Sequence, residues 1–297
     1  MAKKYTAPFG AGLVVLSSFF YASYGIWTKL LGDYFDGFTL TVFRGALVVT
    51  ILLVIAVFKR SLQPLELRKN WPYICGMIIG SAFTWGTLYF SILKAGVGIS
   101  LTVTYASIVV GQFFFGWLFA NERFTRDKAY SALLGFVGLA LIFSPSIQKI
   151  GWLALLAACV SGLSAAANTV FAKKIQYNAT QSTIVLWMTG IIANMFMVTI
   201  LGKHYPAIRL NIQWLYVVIF SIASVVASYS LVRGVKLIDA GAAGVLGLLE
   251  VVFGILFGSL FFHERPGLLV LLGVAVIIGA AAVPYIKDYN VQRGTIE

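Results

Sequence analysis

The octapeptide Gly116-Trp-Leu-Phe-Ala-Asn-Glu-Arg123 returns as Gly258-Ser-Leu-Phe-Phe-His-Glu-Arg265, with five identities in eight positions at a shift of 142 residues. At that shift Lys94 falls on Lys236; a shift of 143 superposes Trp71-Pro-Tyr73 on Trp214-Leu-Tyr216, and one of 144 places Lys29 on Lys173. Matches that keep their order at a nearly constant offset mark a duplication. The chain therefore reads as two copies of one unit, 1–147 and 148–297.

What the unit is follows from composition. The 297 residues are 60% hydrophobic and only 11% charged, against about 25% charged in soluble domains. The mean hydropathy of +0.92 belongs to a bilayer protein and excludes disorder, collagen and coiled coil. Runs long enough to cross about 30 Å of hydrocarbon fall at 10–31, 38–58, 71–93, 96–118, 126–145, 150–172, 182–201, 212–234, 240–262 and 265–286. The breaks carry turn or charge signals, among them Ser-Pro-Ser at 144–146 and Lys-His-Tyr-Pro at 203–206. The sequence thus predicts an all-α integral membrane protein of ten transmembrane helices. Five helices per copy is odd, so the second copy runs inverted relative to the first, the plan of carriers with a midplane site at the repeat interface.

The 22 basic residues, with a net charge of +12, sit at the ends of apolar runs rather than in a stripe that nucleic acid would need. Fifteen lie on the side of the termini and six on the other, with Arg44 inside a span. By the positive-inside rule both termini are expected to be cytoplasmic, in a cell inner (plasma) membrane. Met-Ala-Lys-Lys at the start leads into a run that reaches residue 31 without a cleavage region, so it reads as a first span. Cys75 and Cys159 form no Cys-x-x-Cys and read as core residues, neither disulfide nor metal ligands.

The ten helices in two halves, the Leu-Phe-x-x-Glu-Arg closing the fourth and ninth spans, Ile-Leu-Lys94-Ala-Gly and Val-Lys236-Leu-Ile-Asp-Ala-Gly, and Leu-Leu-Glu250-Val-Val together resemble the EamA-type branch of the drug/metabolite transporter superfamily. The resemblance covers essentially the whole chain. It implies a ten-helix inverted-repeat carrier of a small metabolite, often an exporter of amino acids or related compounds. Val251 stands where the family commonly has proline, which removes the usual reason for a helix break in span nine.

Ionisable groups at membrane depth are the sharpest functional signals, because burying one must be compensated. There are two. Glu250 lies near the middle of span nine, where it serves as proton-coupling group, as partner of a substrate cation, or as a structural acid; Arg44 in span two either holds a substrate carboxylate through its planar fork or locks helix ends. Polar and aromatic stripes at helical spacing suit a cavity lining: Ser17, Tyr21, Tyr24 and Thr28; Ser81, Trp85 and Tyr89; Thr102, Tyr105 and Gln112; Ser161, Ser164 and Asn168; Ser221, Ser224 and Ser228 beside Tyr229. Taken singly, the serines equally suit close helix packing. The substrate-binding candidates are Tyr21, Tyr24, Arg44, Trp85, Tyr89, Tyr105, Asn168, Tyr229 and Glu250, between spans one, three, four, six, eight and nine. Gly76-x-x-x-Gly80 and Gly254-x-x-x-Gly258 are assigned to internal packing, the latter against span four.

Aromatic faces with a carboxylate suit an ammonium group; with Arg44 in the cavity the match is a zwitterion, and without it an amine or quaternary ammonium compound. Enzyme chemistry finds no support, since His-Glu-x-x-His is absent and both histidines fall in loops. The expected function is secondary active transport of an amino acid or related amine by alternating access, proton-coupled or by exchange. A quaternary ammonium carrier and a channel or sensor are the alternatives. No cofactor or metal is expected; the partners are the bilayer, a small-molecule substrate and protons, with monomer and weak homodimer both open.

Overall fold

The structure, a computed structural model, describes residues 2–31, 34–95, 97–123, 125–143, 151–208 and 211–293. Among them are twelve helices and no strand: α1 (Ala2–Ala22), α2 (Tyr24–Leu31), α3 (Gly37–Phe58), α4 (Leu67–Ala95), α5 (Val97–Ala120), α6 (Arg126–Phe143), α7 (Trp152–Lys174), α8 (Ala179–Ile200), α9 (Ile212–Val235), α10 (Ala240–Gly247), α11 (Leu249–Phe262) and α12 (Leu268–Arg293). Several start where side chains satisfy the orphan amides of a first turn. Asp36 accepts from the Phe38 and Thr39 amides ahead of α3, Asn178 from Gln181 ahead of α8, and Asn211 from Trp214 ahead of α9.

Eight helical segments of the described residues are long and apolar enough to cross a membrane, with Leu268–Val283 as a shorter apolar stretch. Ten were expected. The fifth span, α6, is 18 residues long and opens on Arg126, Asp127 and Lys128, which leaves too short an apolar remainder. Two expected spans are also broken. The first splits at Ser23, whose hydroxyl donates to Phe20 O at 2.6 Å and accepts from Trp27 Nε1 at 3.3 Å. The ninth splits at Leu248 without any proline. There Leu248 N donates to Val245 O at 3.1 Å and Val251 N to Leu248 O at 3.0 Å, tightened i to i−3 bonds that divide α10 from α11.

The helices pair across the two sequence halves: α4 and α5 pack on α7, α1 on α9 and α10–α11, α3 on α8, and α6 on α12. The α6–α12 seam needs glycine. A Cβ on Gly273 would lie 2.6 Å from Gly138 O, and one on Gly138 would lie 2.9 Å from Gly273 O, so the backbones touch there. Gly76 and Gly80 face Phe171 and Asn168 of α7, as internal packing requires, but nothing lies within 4 Å of a Cβ on Gly254. Its motif therefore does not pack against the fourth span. Nor are the cysteines core residues, since Cys75 is exposed and Cys159 half-buried.

The repeated octapeptide has one local structure in both places. Asn121 and His263 both adopt φ 54°, and the amide of the following glutamate returns to the motif glycine: Glu122 N to Gly116 O at 3.1 Å, Glu264 N to Gly258 O at 3.2 Å. A Cβ on Gly116 would lie 2.6 Å from Glu122 Oε2, and one on Gly258 2.5 Å from Glu264 Oε2. Each glycine is the seat on which its glutamate folds back.

Side-chain bonds sort the loops into two ends. Gln63 and Gln181 bond reciprocally, and Asn70 Oδ1 accepts from Gln176 N, so loops 59–66 and 175–178 share one end, the Lys173 end. Phe35 and Phe43 pack on Trp214 at the opposite, Trp214 end.

Candidate functional site

A cavity of about 410 Å³ lies between the two sets of helices, lined from α1, α2, α3, α4, α5, α7, α8, α9, α10 and α11. That volume suits a small metabolite. Ser17 Oγ, Arg44 Nε, Gln112 Oε1, Asn168 Oδ1 and Asn194 Oδ1 all belong to lining residues, and each is buried with no hydrogen-bond partner among the described residues. Buried polar atoms are ordinarily satisfied by protein or water. Their convergence on one cavity makes it a place for a polar guest.

Arg44 is 4% exposed and stands among aromatic faces. Its Cζ lies 4.3 Å from the Phe220 ring centroid, 4.6 Å from Tyr24 and 5.2 Å from Trp187. These rings hold the cation by their negative faces. Trp187 is itself fixed, because its Nε1 donates to Ser228 Oγ at 2.8 Å. Glu250, in the first turn of α11 beside the Leu248 break, lines the cavity together with Tyr105. Tyr21 and Tyr24, with ring centroids 5.0 Å apart, line the same cavity, and Tyr24 stacks against Arg44. A carboxyl and a guanidinium thus share one cavity with three tyrosines.

Of the residues singled out in the sequence, Tyr21, Tyr24, Arg44, Trp85, Tyr105, Asn168 and Glu250 line the cavity. Tyr229 does not. Its hydroxyl accepts from Arg233 at 3.3 Å on an exposed face of α9, away from the cavity. The side chains of Tyr89 and Thr28 lie outside the described residues. The expected serine face of α9 is satisfied locally: Ser221, Ser224 and Ser228 donate to the carbonyls of Val217, Phe220 and Ser224. The sequence pattern does not single out α8 as a wall, nor Thr41 beside Arg44 on α3, nor Trp187 and Asn194, all of which line the cavity. The signal was there, since Trp187 and Asn194 are seven apart, two turns along one helix face in the middle of an apolar run.

At the Lys173 end the cavity is floored by buried residues: Ala172 and Val235 are 0% exposed and Ala243 is 2%. Behind them Lys173 Nζ donates to Glu122 Oε1 at 2.5 Å and to Ile238 O at 2.6 Å, and Ala240 N donates to Glu122 Oε2 at 2.7 Å. Lys236 donates to the carbonyls of Lys173 and Ile175, and Lys128 pairs with Asp239. Burial, and then the neighbouring Lys173 charge, push the Lys236 ammonium down from 10.5 to about 8. Among the described residues no cluster of His, Cys, Asp and Glu could hold a metal.

The EamA-like transporter family matches residues 8–144 and again 152–285. An uncharacterized transporter of Helicobacter pylori strain J99 is 21% identical over 281 residues, covering 92% of this chain and 93% of that protein. The uncharacterized transporter YvbV of Bacillus subtilis is 28% identical over 244 residues, covering 77% and 76% respectively. A protein of known crystal structure superposes with a TM-score of 0.77 at 18% identity, covering 95% of this chain and 98% of that one, a likeness of fold alone.

Proposed function

Because this chain belongs to the EamA-like transporter family, we propose that it is a secondary carrier moving a small polar metabolite, an amino acid or related amine, through the cavity between its halves. In this reading 1–147 and 148–297 are inverted repeats making ten crossings, with α6 and α12 as the fifth and tenth. Both termini face the cytoplasm. The family match in two consecutive segments, the same glutamate turn in both halves and the pairing of helices across the halves support it.

The observation that carries the substrate reading is the placement of Arg44 and Glu250 in one cavity among unpartnered polar atoms. Arg44 offers a fork to a carboxylate, and Glu250 offers its carboxylate to an ammonium or takes up a proton. Arg44 in the cavity weighs against a quaternary ammonium compound, which it would repel. A floor of buried residues at the Lys173 end weighs against an open channel.

Counterflow in proteoliposomes tests this, with labelled amino acids screened against amines and quaternary ammonium compounds, with and without a pH gradient. Saturable exchange of a zwitterion is expected. Exchange restricted to quaternary ammonium compounds would overturn the assignment of Arg44.

A further inference from the structure

The glutamate of the repeated octapeptide plays no part in the substrate site, yet it is 9% exposed and bonded into the opposite half. Glu122 follows α5. One carboxylate oxygen accepts from Lys173 at the end of α7, and the other accepts the amide of Ala240, the first residue of α10. The residue at the N-cap of α10, Asp239, makes no side-chain cap, so Glu122 supplies from another helix what that terminus lacks. Lys173 in turn holds Ile238 O, and Lys236 holds the Lys173 and Ile175 carbonyls. One carboxylate thereby ties together the ends of α5, α7 and α10, all of which line the cavity.

Helix α10 is eight residues long and ends at the Leu248 break, two residues before Glu250. Its first residue is held by Glu122 and its last lies beside the Glu250 turn. This eight-residue segment thus runs from a polar tie at Ala240 to the tightened turn at Leu248.

We propose that the Glu122–Lys173 pair with the Ala240 amide is the latch that closes the cavity at the Lys173 end, and that α10 transmits its release to and from Glu250. This rests on the carrier reading. Glu122 and Lys173 are positioning residues that touch no substrate. Opening requires the Lys173 ammonium and the Ala240 amide to leave the carboxylate for water, after which α10 swings about Leu248 and the floor of Ala172, Val235 and Ala243 parts.

The test uses the full chain with Cys75 and Cys159 replaced by serine and Gln112→Cys as reporter in the cavity. A membrane-impermeant maleimide is applied in turn to each face of oriented proteoliposomes. Glu122→Ala and Lys173→Gln are expected to raise labelling from the Lys173 side by about ten-fold or more, the change that follows from shifting a two-state equilibrium by one weak charged contact. Lys173→Arg restores the slow rate. Lys173→Gln leaves the α10 cap in place and so guards against loss of fold in Glu122→Ala, with thermal unfolding as the check. Equal labelling in all of these folded proteins overturns the latch and leaves the carrier reading standing. Faster labelling of the variants, with no exchange of any labelled metabolite by the unmodified protein, supports the latch and counts against the carrier.

Discussion

The Cζ of Arg44 stands 4.3 Å from the centroid of the Phe220 ring, in a cation stacked on aromatic faces whose Nε meets no acceptor among the described residues. Stacking orients the guanidinium without consuming its donors, so the fork stays available to a guest. In hydrocarbon-depth surroundings an arginine held this way is costly unless something comes to it.

Replacing Arg44 by lysine keeps the charge and loses the planar fork. Exchange of a zwitterion is expected to fall by roughly one to two orders of magnitude, the equivalent of losing about 1.5–3 kcal/mol of charged hydrogen bonding. Counterflow with the lysine and glutamine variants measures it. Unchanged exchange in Arg44→Lys would show that the fork makes no substrate contact.

Glu250→Gln keeps the shape of the side chain and removes its proton chemistry. Counterflow should persist at reduced affinity while the effect of an imposed pH gradient vanishes. An undiminished pH effect in this variant would take the coupling role from Glu250.

Lys236 gives a pH dependence of opposite kind. Its folded-state value of about 8 lies below the ordinary 10.5, so the native network prefers the neutral amine. Below about 8 both folded and unfolded chains carry the charge and the burial penalty is fully present; stability then rises as pH climbs from 8 towards 10.5. Losing that charge also relieves Lys173, which stays with Glu122, while Lys128 and Asp239 remain paired beside it. The thermal unfolding midpoint in detergent should increase between these pH values, and Lys236→Met should flatten the increase. An equal slope in the variant would assign the effect elsewhere.

Gly273→Val tests the α6–α12 seam. A side chain there collides with the Gly138 carbonyl, which is backbone and has no rotamer to change. Destabilisation of about 1–3 kcal/mol is expected, read as a lower thermal midpoint. A neutral result would mean that α6 and α12 separate freely.

Much of this architecture was legible in residue order, and the exceptions have physical reasons. Long apolar runs and two ionisable groups inside them, Arg44 and Glu250, identify a membrane protein and two of its cavity residues, because hydrocarbon leaves polar groups few alternatives. The break at Leu248 was not legible. Proline is only one way to divert a helix, and here tightened backbone bonds do it near Gly244 and Gly247. The α9 serines looked like a cavity face, but a serine hydroxyl reaches the carbonyl four residues back and needs no cavity. Tyr229 shared their helix yet points to Arg233. Trp187 was passed over because a lone tryptophan in an apolar run reads as packing until Arg44 is seen against it.

Substrate protection of a thiol placed in the cavity locates the transport path. With Thr84→Cys as reporter, on a residue that lines the cavity, the rate of maleimide labelling is measured against rising concentrations of the exchanged metabolite. Protection with the same half-saturating concentration as counterflow is expected. Labelling indifferent to saturating substrate, in protein that still exchanges it, would place the transport path elsewhere and contradict the account.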